Sequence, residues 1–297
     1  MPKRCYVKKR FRSDSLAVID QANKIITEYW QQGYKLTLRQ LYYQFVSRDL
    51  VPNTQQSYKN IGSIVNDGRL AGMIDWLAIE DRTRNMRENA HWDSPGDIVR
   101  ACAQQFRHNL WDTQDCYVEC WIEKDALVGV IEGVCAEMDV PYFACRGYTS
   151  QSEMWAAAQR FLEREKCGKH TVILHLGDHD PSGIDMTRDI QDRLSLFGSS
   201  VEINRIALLK SQIDKYQPPP NFAKATDARY ESYRELYGDE SWELDALEPS
   251  TIVGLISDHL RRLMNMASWD VAVEQQQLAR DQLTSVSEKW DEIVEDI

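Results

Sequence analysis

A chain of 297 residues with 43% hydrophobic and 10% aromatic content can build a packed core, which excludes wholesale disorder. The net charge of −11 is unevenly spread: residues 1–110 carry 17 Lys and Arg against 11 Asp and Glu, and the remainder carries 18 against 35. That split speaks for a two-part chain whose basic front meets a polyanion and whose acidic back holds cations. The basic start "MPKRCYVKKRFRSD" leads into no apolar segment, and no run approaches bilayer-spanning length. The seven cysteines are scattered and form no C-x-x-C pair. A cytoplasmic, soluble protein without disulfides or structural zinc is therefore expected.

Apolar residues recur at helical spacing from Ser15 to Trp30, with Gly33 as the stop. Thr37 caps a second helix, "LRQLYYQFVSRDL" (38–50), which Pro52 ends, and a third is predicted over 56–74. With the basic stretch "IEDRTRNMR" (79–87) behind them, these helices fit a winged helix-turn-helix, and a plain three-helix bundle fits as well. In the first case Lys59 and Arg69 on the third helix, with Arg82, Arg84 and Arg87 in the wing, are the DNA contacts. On a wheel of the second helix, Leu38, Leu41, Tyr42 and Phe45 form the core stripe. Tyr43 lies off that stripe with Arg39 one turn earlier, so its hydroxyl is expected in solvent beside a cation. The plain alternative is a tyrosine that decorates an exposed face.

Residues 88–112 read as a connection with one more helix. Beyond it, strands are predicted at 116–122, 140–146, 171–177 and 201–209, alternating with helices at 123–139, 150–166 and 184–197. Such alternation predicts βαβ units and a parallel sheet, an α/β architecture with residues 1–110 and 111–297 as its two domains. Residues 210–249 look irregular, a helix follows at 250–266, and a last helix closes the chain. Its heptad-like stripe of Leu283, Val286, Trp290, Ile293 and Ile297 is expected to pack within its own domain rather than on a partner.

The chemistry is concentrated in "LGDHDPSGID" (176–185), where two aspartates end an apolar run. Ligands of parallel sheets bind beyond the carboxyl ends of the strands, and residues i and i+2 of extended backbone face one side. Asp178 and Asp180 after the third strand and Glu123 after the first thus make an oxygen-rich candidate site for Mg2+ or Mn2+. His179 should point the other way. The simpler reading of D-x-D is a helix cap, with Asp180 opening the Pro-Ser-Gly turn.

"WIEKDAL" (121–127), "CRGYTSQS" (145–152) and "LGDHDPSGID" (176–185) resemble, in order and spacing, the motifs of a Toprim domain. The resemblance is to the topoisomerase VI A subunit and the meiotic double-strand-break transesterase. It covers about 115–210, and "WELDALEP" (242–249) resembles the family's later segment more weakly. The "GDHDPSG" run departs from the family in its histidine and serine, where topoisomerase VI usually has glycine and tyrosine. In that family the first acid and the D-x-D pair bind magnesium, which falls on Glu123, Asp178 and Asp180. "LRQLYY" (38–43) resembles the winged-helix motif that carries the nucleophile, with Arg39 in place and Tyr43 as the DNA-attacking tyrosine.

The resemblance implies magnesium-dependent transesterification on double-stranded DNA, giving a 5′-phosphotyrosyl bond. It also implies a homodimer in which the tyrosine of one protomer serves the metal site of the other. Strand passage further requires a separate ATPase subunit like topoisomerase VI B, since the chain has no G-x-G and no G-x-x-x-x-G-K. Two rival readings remain. One is a hydrolytic Toprim nuclease, as in the Wadjet plasmid-defence system, with Tyr43 reduced to a DNA contact. The other is a DNA-binding module without catalysis.

Overall fold

The computed structural model describes residues 3–79, 89–223 and 225–295. Three helices open the chain: α1 (Ser13–Gln31), α2 (Leu38–Ser47) and α3 (Gln55–Leu70). Thr37 caps α2 through a reciprocal box with Gln40, and Thr54 caps α3. Both helices end earlier than periodicity suggests, α2 at Ser47 with Asp49 at positive φ, and α3 at Leu70. Their apolar faces close on Ile19, Ile25, Tyr29, Leu41, Phe45, Ile61 and Val65.

After α4 (Pro95–Gln105) the chain forms an α/β unit: β1 (Cys116–Ile122), α5 (Val128–Glu137), β2 (Tyr142–Ala144), α6 (Gln151–Lys166), β3 (His170–Leu176), α7 (Pro181–Leu196) and β4 (Glu202–Ala207). The four strands are parallel in the order β2-β1-β3-β4. Side chains alternate across the sheet as period-two geometry requires. Val118, Cys120, Ile122, Val172, Leu174 and Leu176 face one core, with α5 and α10 over it. Trp121 and Ile173 face the other, under α6 and α7. The predicted helix at 123–139 is broken by a 3-10 turn at Asp125–Leu127, and the second strand is only three residues long.

Residues 210–249 are more regular than composition implies. They hold α8 (Lys210–Tyr216), a small antiparallel pair β5 (Asn221–Phe222) and β6 (Glu240–Ser241), α9 (Tyr230–Tyr237) and a 3-10 turn at Leu244–Ala246. Local signals there are weak because Tyr233 and Trp242 are buried by distant partners, notably His179. The chain ends in α10 (Pro249–Leu263), α11 (Met266–Glu288) and α12 (Trp290–Glu295). Helix α11 packs on α4, with Ser287 bonded to the Gly96 carbonyl and Trp290 against Gly96, while Val286 and Ile293 remain exposed. Among the described residues, no helix is long and apolar enough to cross a membrane.

Candidate active site

In the strand order β2-β1-β3-β4, the connections leave β1 and β3 in opposite directions, which opens a crevice at their carboxyl ends. Ile122 pairs with Leu176, so the residues that follow these strands emerge side by side. The Glu123 N–H donates to the Leu176 carbonyl, and the Asp178 N–H donates to Glu123 Oε2 at 2.8 Å. Glu123 and Asp178 are therefore neighbours because their strands are. A cavity of about 670 Å3 lies above them, lined by both acids together with Asp180, Arg39, Tyr43 and Glu243.

Gly177 is closely packed: a Cβ there would stand 3.0 Å from Glu123 Oε2 and 3.2 Å from Arg205. The Arg205 guanidinium gathers the carbonyls of Gly177, Asp178 and Gly183 at 2.6–3.0 Å, which fixes the loop. Asp180 caps α7, its Oδ1 accepting from Gly183 N and Ser182 Oγ. The cap reading of D-x-D is thus realised for one oxygen of Asp180. His179 points away, buried against Tyr233, Tyr237 and Trp242, with its Nδ1 at 2.8 Å from the Tyr233 hydroxyl. Burial and the nearby Arg205 depress its pKa to about 4.

A further segment completes the wall. His179 and Trp242 exchange backbone hydrogen bonds, and Leu244 N donates to Asp178 Oδ1 at 2.8 Å. This delivers Glu243 and Asp245, two residues apart, to the site, while Ala246 joins the core of the N-terminal helices. Sequence reasoning named neither acid. The signal is the E-x-D of "WELDALEP", whose i, i+2 acids repeat the spacing of D-H-D.

Lys124 is the positive group among these acids. Its Nζ lies 2.9 Å from Asp178 Oδ2, 2.8 Å from Glu243 Oε2 and 3.4 Å from Asp245 Oδ1. Arg39 reaches the same acids from α2, 2.5 Å from Glu243 Oε2 and 3.1 Å from Asp245 Oδ2. Burial works against both cations, but the surrounding carboxylates raise their pKa values above the ordinary range. Burial would also raise Glu243, yet Lys124 and Arg39 hold it down at about 2. Glu123 goes the other way, pushed up to about 7 by burial and the Asp178 charge. Asp178 rises to about 6 because burial outweighs the pull of Lys124.

Tyr43 departs from expectation. Only 5% of the residue is exposed, because the 244–246 turn covers the face of α2 that the helical wheel leaves free. It lines the same cavity as Glu243, and its ring lies 5.8 Å from the Arg39 guanidinium, one helical turn earlier. Burial and Glu243 raise the phenol's pKa. Tyr42 is buried as expected, its hydroxyl bonded to the Pro52–Thr54 turn.

The DNA-contact candidates divide. Lys59 is exposed on α3. Arg69 is not a free surface cation: it stacks 4.6 Å from the Trp76 ring centroid and donates to the Trp76 carbonyl at 2.9 Å, bracing the segment after α3. Arg82, Arg84 and Arg87 lie outside the described residues.

The three acids expected to hold a metal share one cavity but do not converge on one point. Among the described residues, no three His, Cys, Asp or Glu side chains stand close enough together to hold an ion. Asp178 is turned to Lys124, and Asp180 to its helix cap. What the site offers chemically is a phenol, two cations and several carboxylates at one cavity. No protein-family model matches this chain, and no curated protein is similar to it in sequence.

Proposed function

We propose that this protein is a metal-dependent DNA-cleaving enzyme of the topoisomerase VI A type, with a winged-helix front and a Toprim-like sheet, and that Tyr43 is its nucleophile. The supporting observation is that Tyr43, Glu243, Asp178 and Glu123 line a single cavity and that contacts join its acids, Glu243 to Lys124, Lys124 to Asp178, and Asp178 N–H to Glu123. Arg39 extends these contacts to the tyrosine side.

The donors fit a hard divalent ion in kind. All are oxygens, and the acids press on one another, since Asp178 and Asp180 both raise Glu123. Glu123 Oε1 and Asp180 Oδ2 accept no hydrogen bond among the described residues. Glu123, Asp178 and Asp180 would hold Mg2+ or Mn2+ once Asp178 turns from Lys124 and the three draw together, and the ion would supply charge neutralisation at the phosphate and the leaving oxygen. The chain's own residues do the rest. Arg39 and Lys124 draw in the phosphate, and Arg39 favours the ionised phenol. Tyr43 then attacks phosphorus and the 3′-hydroxyl leaves, its oxygen taking up a proton equivalent to the one the phenol lost. Tyr43 lines the cavity of its own chain's acids, whereas the family resemblance implies that it serves the partner's metal site; in either arrangement each chain carries one such tyrosine, so a double-strand break calls for a homodimer. Resealing coupled to strand passage calls for a separate ATPase subunit. Lys59 and the arginines at 82 and 84 supply the hold on double-stranded DNA.

Hydrolysis is the second reading, and one observation favours it: Tyr43 is little exposed and its phenol is held protonated by burial and Glu243. The two are separated by incubating the protein with supercoiled plasmid and Mg2+, quenching with denaturant, and assaying for protein on 5′ ends. Transesterification gives covalent adducts that vanish in Tyr43→Phe. Cleavage that leaves no adduct and persists in Tyr43→Phe assigns the protein to the hydrolytic nucleases.

A further inference from the structure

The Glu243 carboxylate has the surroundings of a scissile phosphate. A guanidinium nitrogen of Arg39 sits 2.5 Å from it, the Lys124 ammonium 2.8 Å, and Tyr43 lines the same cavity. Asn221 Nδ2 approaches its other oxygen at 3.5 Å. An oxyanion gripped by two cations in front of a phenol is the arrangement that a phosphodiester needs for attack by that phenol. We propose that Arg39, Lys124 and Tyr43 form a phosphodiester-binding subsite, and that Glu243 is an internal plug that occupies it until a substrate phosphate displaces it. The inference rests on the DNA-cleavage reading and adds to it the place of the phosphate and what guards it.

The architecture suits a displaceable plug. The Glu243 side chain keeps 23% of its surface exposed at the cavity wall, whereas Asp245 beneath it is fully buried. Trp242 is tied by backbone bonds to His179 and the Leu244 N–H donates to the Asp178 carboxylate, so rotation about the Glu243 side-chain bonds moves its carboxylate while the backbone on either side stays held. Both cations stay in place when it leaves. Arg39 retains Asp245 at 3.1 Å, and Lys124 retains Asp178 at 2.9 Å and Asp245 at 3.4 Å. The plug also bears on Tyr43, since one negative charge beside the phenol disfavours its ionisation and leaves when the plug swings out.

The test is binding, with chemistry switched off. In a Tyr43→Phe background, with EDTA present, the affinity for a fluorescein-labelled ten-nucleotide single-stranded DNA is measured at fixed salt, alongside the thermal midpoint of each variant. Glu243→Gln, which keeps the side chain's size and removes its charge, is expected to tighten binding by about tenfold or more. Adding Arg39→Gln should cancel the gain. Glu243→Asp, which retracts the charge by one methylene, should give a smaller gain, and it decides the matter if Glu243→Gln does not fold. Unchanged or weaker binding by the folded variants overturns the plug. Because the readout needs no cutting, tightened binding in Glu243→Gln together with absent covalent adducts in the unmodified protein would remove the transesterase reading and leave the plug standing.

Discussion

Glu123 and Asp178 are carboxylates pushed up to about 7 and about 6, above their ordinary values near 4, chiefly by burial, with the Asp178 charge adding to the rise of Glu123 and the Asp245 charge to that of Asp178. For an acid whose pKa is higher in the folded state, the folded protein binds more protons, so stability is lost as pH rises between the two values. The metal-free protein should therefore show a thermal midpoint that falls from pH 4.5 to pH 7.5. Glu123→Gln should flatten that fall, and millimolar Mg2+ should reverse it; a midpoint that ignores both changes would remove the charge strain from the account. Lys124 makes the opposite demand on its partners. Replacing Asp178 by alanine leaves a largely buried ammonium with one carboxylate fewer and exposes Leu244 N–H as an unpaired donor. Losing one partner of a buried pair costs about 3–5 kcal/mol, so chemical denaturation of Asp178→Ala should report a large loss of stability.

Two short elements carry the site, and they differ in how far their sequences announce them. The 176–185 loop is legible: a strand, a glycine, D-x-D and a Pro-Ser-Gly helix start each follow from local chemistry. Gly183 makes this tight, because a Cβ there would collide with the Asp178 carbonyl, which Arg205 also holds. Gly183→Ala should cost ~1–3 kcal/mol in denaturant unfolding and loosen the loop, as overpacking does elsewhere. The 242–246 segment is not legible in the same way. Its acids become site residues only through the backbone pairing of Trp242 with His179, a contact between positions 63 residues apart. The wheel of α2 misleads over Tyr43 for the same reason. Amphipathicity records which face a helix buries against its neighbours in sequence, and here a turn from the far end of the chain covers the remaining face. Arg69 likewise reads as a surface cation until Trp76 folds beneath it.

Across the whole molecule, the positive balance of residues 1–110 and the acid-rich remainder meet at the crevice, where Arg39 of α2 bonds acids of the 242–246 segment. If the front grips DNA through phosphates, log affinity should fall linearly with log salt. Lys59→Ala is expected to reduce that slope by about one ion, and Arg69→Ala to leave it unchanged while lowering the thermal midpoint, both measurable by fluorescence anisotropy across a salt series. Equal slopes for Lys59→Ala and the unmodified protein would take α3 out of the interface. The sequence alone determined the order of strands and helices, the parallel sheet and the two acids at its carboxyl edge, because hydrophobic period and turn chemistry act between near neighbours along the chain. Only the tertiary structure decided that Lys124 and Arg39 share Glu243 and that Tyr43 is covered. Those are outcomes of packing between segments far apart in the chain, and no local pattern encodes which charges will meet there.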